Sequence, residues 1–149
     1  MTTRIPMTQK PGCELCEQDG GIVVARTELL RVIRVNDAAY PAFYRVIWNQ
    51  HAPEWTDLVP AHRSLLMQTV AKVETVLRRH VKPTKINLAS LGNVVPHLHW
   101  HVIARFDWDA HFPQPIWGTV QRTVEPAPLQ RLPVSLAELD AAVVAELQG

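Results

Sequence analysis

The stretch Val95-Pro96-His97-Leu98-His99-Trp100-His101-Val102-Ile103 decides the reading of this chain. Three histidines at two-residue spacing stand in β-branched, apolar sequence, which predicts a strand carrying imidazoles on one face. His97, His99 and His101 would share that face, with Leu98, Trp100 and Val102 on the other. At about 3.3 Å per residue, neighbouring imidazoles start roughly 6.6 Å apart, so two of them can meet one small anionic group while the third does a different job. A single core-facing histidine is commonly a hydrogen-bonded structural residue, and that reading suffices for His51, His62 or His80 taken alone. Three adjacent rings, each needing partners for both nitrogens, are a poor way to fill a core. The chemistry suited to the row is nucleophilic or general acid–base work near neutral pH, or metal ligation.

Upstream, Lys85-Ile86-Asn87-Leu88 reads as a strand, and Ala89-Ser90-Leu91-Gly92-Asn93 as a small-residue loop returning into the histidine strand, so the two form a hairpin with polar groups at its mouth. Here the chain resembles the histidine-triad (HIT) family of nucleotide hydrolases and transferases, whose signature is His-φ-His-φ-His-φ-φ with φ apolar. His97-Leu98-His99-Trp100-His101-Val102-Ile103 matches position by position, with Trp100 an unusually large occupant. Arg105 follows the strand as a basic residue, and residues 41–51 resemble the family's strand that ends in a histidine, here His51. The resemblance covers roughly residues 13 to 112 and implies an α+β fold, an antiparallel sheet of five to six strands with one main helix packed on it.

Composition fits a single globular domain: 149 residues, 47% hydrophobic and 19% charged. A formal net charge of +1 makes no electrostatic case for duplex nucleic acid or a membrane surface as partner. Residues 1–12 lack the layout of a signal peptide and no stretch approaches a membrane span, so the expected location is cytoplasmic. Both cysteines lie in Cys13-Glu14-Leu15-Cys16, which by itself can be a redox pair, half a zinc site or coincidence. No thioredoxin-like context surrounds it. Some HIT members, and the similar galactose phosphate uridylyltransferases, hold zinc with two such cysteines, a histidine after the central strand and the first histidine of the triad. The matching positions are Cys13, Cys16, His51 and His97, so the resemblance implies a structural zinc and no organic cofactor.

The remaining elements follow from pattern. Residues 22–25, 29–35 and 43–48 read as strands, with turns at Asp19-Gly20-Gly21 and Asn36-Asp37. Between residues 60 and 80, Leu65, Leu66, Val70, Val73, Val76 and Leu77 recur at helical spacing and predict a core-facing helix. The order is β-β-β-α-β-β. Residues 106–117, rich in aromatics and proline, predict an ordered irregular loop that walls a base pocket, meets a partner or simply packs. Pro126, Pro128 and Pro133 mark a linker, and Ser135-Leu136-Ala137-Glu138 reads as a capping box opening a C-terminal helix. Residues 1–112 are thus expected as the HIT domain and 113–149 as an extension whose helix carries an apolar face the domain has little room to cover. With the family resemblance, that face argues for a homodimer.

By the resemblance, His99 is the nucleophile that forms a nucleotidyl-histidine, with His101 and His97 beside it in the catalytic row. Asn87, Ser90, Gly92 and Asn93 stand near the phosphate, and either Asn36 or Asp37 matches the ribose-contacting position. Asn87 aligns only with a loop one residue shorter than usual, and Asn93 stands where glutamine is common. The implied ligand is a small-molecule nucleotide: a phosphoramidate, an ester or a dinucleoside polyphosphate. The alternative is a non-catalytic nucleotide-binding or partner-interaction protein of the same fold.

Overall fold

The structure, a computed structural model, describes residues 9–149; residues 1–8, and with them most of the segment read above as lacking a signal peptide, lie outside it. A four-residue helix, α1 (Glu14–Glu17), precedes three strands, β1 (Ile22–Arg26), β2 (Leu30–Arg34) and β3 (Phe43–Trp48). A short 3-10 turn leads into α2 (Pro60–His80), then β4 (Lys85–Ala89) and β5 (His99–Arg105). The extension holds a single turn, α3 (Pro128–Arg131), and α4 (Leu136–Gln148). All strand pairs are antiparallel and the sheet order is β1-β2-β3-β5-β4, so the histidine strand lies between two neighbours.

Pro60 at the first helical position and Arg78, Arg79 and His80 in the last turn suit the two ends of α2. Its stripe of Leu66, Val70, Val73, Val76 and Leu77 packs on Val32, Tyr44, Val46, Val102 and Ala104 from one sheet face. Each fully buried aliphatic side chain of this kind contributes about 1.5–3 kcal/mol, which makes this face the stabilising one. The opposite face carries Ile33, Ile47 and, on β5, His99 and His101. The helix therefore supports the histidines from behind.

Two expectations change. The histidine strand begins at His99 rather than at 95, because Pro96 has no N–H to give and the His97 N–H turns back to the Val95 carbonyl in a tight turn. The row is thus broken between His97 and His99. The C-terminal helix finds its cover within its own chain: Leu139 and Val143 are wholly buried against the α2 side of the core. Asp140 accepts from Tyr44 Oη at 2.6 Å and from Arg34 Nε at 3.0 Å, and Ser135 and Glu138 form the expected capping box. The uncovered face that argued for a dimer is covered in cis.

Candidate functional site

Ladder register builds the site. β3 sets Arg45 opposite His101 and Ile47 opposite His99, and β4 sets Ala89 opposite His101 on its other side. The His99 and His101 rings lie edge to face with centroids 5.0 Å apart. His99 Nδ1 is 2.6 Å from the His97 carbonyl, which can only accept, so Nδ1 carries the proton and Nε2 keeps its lone pair. Burial lowers the His99 pKa, partly opposed by that carbonyl, so the neutral form dominates near neutral pH.

His101 is committed the other way. Arg45 Nε–H donates to its Nδ1 at 3.2 Å, which leaves the ring proton on Nε2. Burial first, then Arg45 and His99, push its pKa down to about 3. A lone pair on His99 and an N–H on His101 therefore stand side by side. They open on a cavity of about 420 Å³ lined also by Arg45, Leu91, Gly92, Asn93 and Trp117. Gly92 has φ +74°, a conformation that favours glycine and turns the loop past the histidines.

Of the other positions singled out, Gly92 and Asn93 line this cavity. Ser90 Oγ donates to the His99 carbonyl at 2.8 Å and so holds the start of β5. Asn87 Oδ1 accepts from Arg105 Nη1 at 2.7 Å, and Asp37 Oδ1 accepts the Ala39 N–H at 2.9 Å while Asn36 is exposed. Ser90, Asn87, Asp37 and Asn36 do not reach this cavity's wall.

Sequence reasoning passed over Arg45 and did not single out Trp117 from its loop. Trp117 stands edge-on to His101 at 5.2 Å, held there through a buried ion pair at the base of the 106–118 loop. Arg105 binds Asp109 at 2.7 and 3.0 Å and the Gln114 carbonyl at 2.7 Å, and Asp109 accepts the N–H groups of Phe106, His111 and Phe112. Burial pushes the Asp109 carboxyl up, but Arg105 and these amides outweigh it and hold it below the usual carboxylate range. The signal for Arg45 was a charged residue inside the apolar strand 43–48, at the same parity as Ile47.

His97 belongs to a different corner. Its Nε2–H donates to the Trp48 carbonyl, so the Nδ1 lone pair faces Cys13 Sγ at 3.3 Å and Cys16 Sγ at 3.4 Å. His51 Nδ1 lies 3.5 Å from Cys16 Sγ, and the four ligand atoms fall within 4.8 Å of one another. Tetrahedral zinc with its usual bond lengths separates sulfur and nitrogen ligands by roughly 3.5 Å, so the cluster fits such an ion, and the Trp48 carbonyl orients His97 as an outer-shell acceptor does. Buried Arg31 anchors α1 beneath the cysteines by donating to the carbonyls of Leu15, Gln18 and Asp19 and to Asn49 Oδ1.

The HIT domain family model matches residues 17–108. No curated protein matches the chain. Among solved structures, a histidine triad protein from Bradyrhizobium japonicum is 28% identical, with 96% of this chain and 98% of that one covered at a TM-score of 0.69. A histidine triad protein from Sinorhizobium meliloti 1021 is 25% identical over 86% of this chain and 90% of that one, at a TM-score of 0.67. A zinc-bound histidine triad family protein from Mycobacterium smegmatis shares the fold at 18% identity, with 86% of each chain covered and a TM-score of 0.57. With its triad strand, antiparallel sheet and Cys₂His₂ corner, the chain belongs to the histidine-triad family.

Proposed function

We propose that the protein is a nucleotidyl hydrolase or transferase that works through a covalent nucleotidyl intermediate on His99. The observation that carries this is the hydrogen bond from His99 Nδ1–H to the His97 carbonyl, which leaves Nε2 as a free lone pair at the cavity wall. In the proposed sequence, Nε2 attacks the nucleotide phosphorus, the N–P bond forms, and the bond to the leaving group breaks with its electron pair going to that group. His101 Nε2–H stabilises charge on the surrounding oxygens, where a fixed donor helps most. Water then attacks phosphorus, the P–N electron pair returns to Nε2, and the water proton leaves to solvent. Dividing one displacement into two is the advantage of a nucleophilic imidazole.

Zinc in the Cys13, Cys16, His51 and His97 corner would act as a structural ion, stiffening the turn whose carbonyl sets the His99 tautomer. Gly92 and Asn93 are placed to meet phosphate oxygens. In this reading the enzyme is cytoplasmic. A homodimer, to be read by sedimentation equilibrium at micromolar concentration, rests on the family alone, and among the described residues no helix is long and apolar enough to cross a membrane. The test is intact-mass spectrometry of acid-sparing quenches against adenylated and guanylated substrates. A nucleotidyl mass increment mapped to His99 supports the reading; saturable nucleotide binding with neither increment nor turnover replaces it with the non-catalytic alternative.

A further inference from the structure

The Arg45 guanidinium has no role in the two-histidine scheme beyond its bond to His101, yet it occupies the most demanding position on β3. It is half-buried inside an otherwise apolar strand, with its Cζ 5.3 Å over the Phe43 ring. Among the described residues it forms no ion pair, whereas Arg26, Arg34, Arg79 and Arg105 each do. Glu14, which also lines this cavity, and Asp37 are the acidic groups whose fields reach it, and neither comes within 4 Å. Among the described residues only Nε is used, and neither terminal Nη group meets an acceptor there, beside His99 and His101 at the cavity wall. A partly desolvated cation with free donors, aimed into a cavity, calls for an anion.

The bond to His101 adds a chemical constraint. Because Arg45 Nε–H donates to Nδ1, His101 carries a single proton, on Nε2, and surrendering it would leave an imidazolate. His101 can hydrogen-bond a leaving group but is a poor source of a proton for it. An amine leaving group departs readily only when protonated. A phosphate departs as an anion and needs no proton, only positive charge and donors beside the oxygen that keeps the electron pair.

Building on the function proposed above, we infer that Arg45 is the binding residue for the phosphate on the leaving side of the reaction. The site is thereby specialised for P–O–P substrates over P–N substrates. In the first step the bridging P–O bond breaks, its electron pair stays on the departing phosphate oxygen, and the new negative charge forms within reach of the Nη groups. The chain chooses its substrate class with a residue outside the triad.

Arg45→Met and Arg45→Lys are to be compared with wild type on a symmetric dinucleoside tetraphosphate and on a nucleoside 5′-phosphoramidate. Arg45→Met is expected to lose about 10²- to 10³-fold in kcat/KM on the tetraphosphate, as for removal of one charge-stabilising donor. Its loss on the phosphoramidate is expected to be at least about tenfold smaller, and Arg45→Lys to regain at least about tenfold on the tetraphosphate alone. Equal losses on both substrates would reduce Arg45 to a positioning residue for His101 and overturn the inference. Calorimetric titration with inorganic pyrophosphate separates this result from failure of the proposed enzyme function. If wild type turns over neither substrate, binding kept by His99→Ala and weakened at least about tenfold in Arg45→Met upholds the anion site, and equal binding by wild type and Arg45→Met ends it.

Discussion

His97 and His99 are two residues apart, share a sequence motif and differ in almost everything else. His97 is wholly buried and commits both nitrogens, Nε2 to the Trp48 carbonyl and Nδ1 to the pair of thiols. His99 commits only Nδ1, to the carbonyl of His97 itself, and keeps Nε2 for the cavity. An imidazole with both nitrogens occupied is a strut, whereas one held by a single nitrogen is oriented and still reactive. The strut supplies the acceptor that orients its neighbour, so the candidate metal corner and the proposed reaction centre join through one residue's backbone.

The sharpest way to break this comparison is to remove each ring in turn. His99→Ala should lower turnover by at least about 10⁴-fold, as loss of a nucleophile does, while thermal unfolding and nucleotide binding stay near wild type. His97→Ala should instead lower the melting temperature and reduce the zinc content, with activity falling as a consequence. Steady-state kinetics, calorimetry and elemental analysis on the two variants decide it, and matching profiles would erase the distinction. His101→Ala belongs to the reactive end but gives up only a donor, so a decrease of about 10²- to 10³-fold in kcat is expected with the fold intact. A loss as large as that of His99→Ala would promote His101 to an equal partner.

Chelation sharpens the comparison from the other side. Protein purified without added metal should carry one zinc per chain. Stripping it should lower the melting temperature by several degrees, since an ion bound only to the folded state stabilises that state. A metal-free, fully active and equally stable preparation would leave Cys13 and Cys16 as local packing residues.

A further effect is in pH. His101 is depressed to about 3 when folded against an ordinary 6.5, so between those values the unfolded chain binds more protons. Its contribution to stability is present in full above pH 6.5 and is lost as pH falls toward 3, with a slope of about 1.4 kcal/mol per pH unit within that window. Denaturant unfolding of wild type and His101→Gln from pH 7 to 4.5 measures the difference, and parallel curves would mean that His101 is not neutral by burial.

Much of this was readable in one dimension. Residues 43–48 and 60–80 are strand and helix as their patterns require, and the Ser135 and Glu138 capping box forms where its spacing puts it. Local sequence suffices there because the apolar residues of 60–80 repeat with the helical period, while 43–48 is a short, near-continuous apolar run of strand length. The break in the histidine row was less legible, because Pro96 acts by a hydrogen bond it cannot make. The cover of α4 depended on whether Tyr44 and Arg34, roughly a hundred residues earlier in sequence, would meet Asp140.

By itself, the sequence determined the strand and helix segments and the triad spacing, and its family resemblance implied the four residues suited to one metal ion. Only the tertiary structure decided which nitrogen of each histidine carries the proton, that Arg45 faces His101 across the ladder, and that Trp117 and α4 return to the domain. The physical reason is that periodicity is set by neighbours along the chain. Protonation, charge pairing and cover are set by whatever the fold brings within a few ångströms, and the residues involved are far apart in sequence.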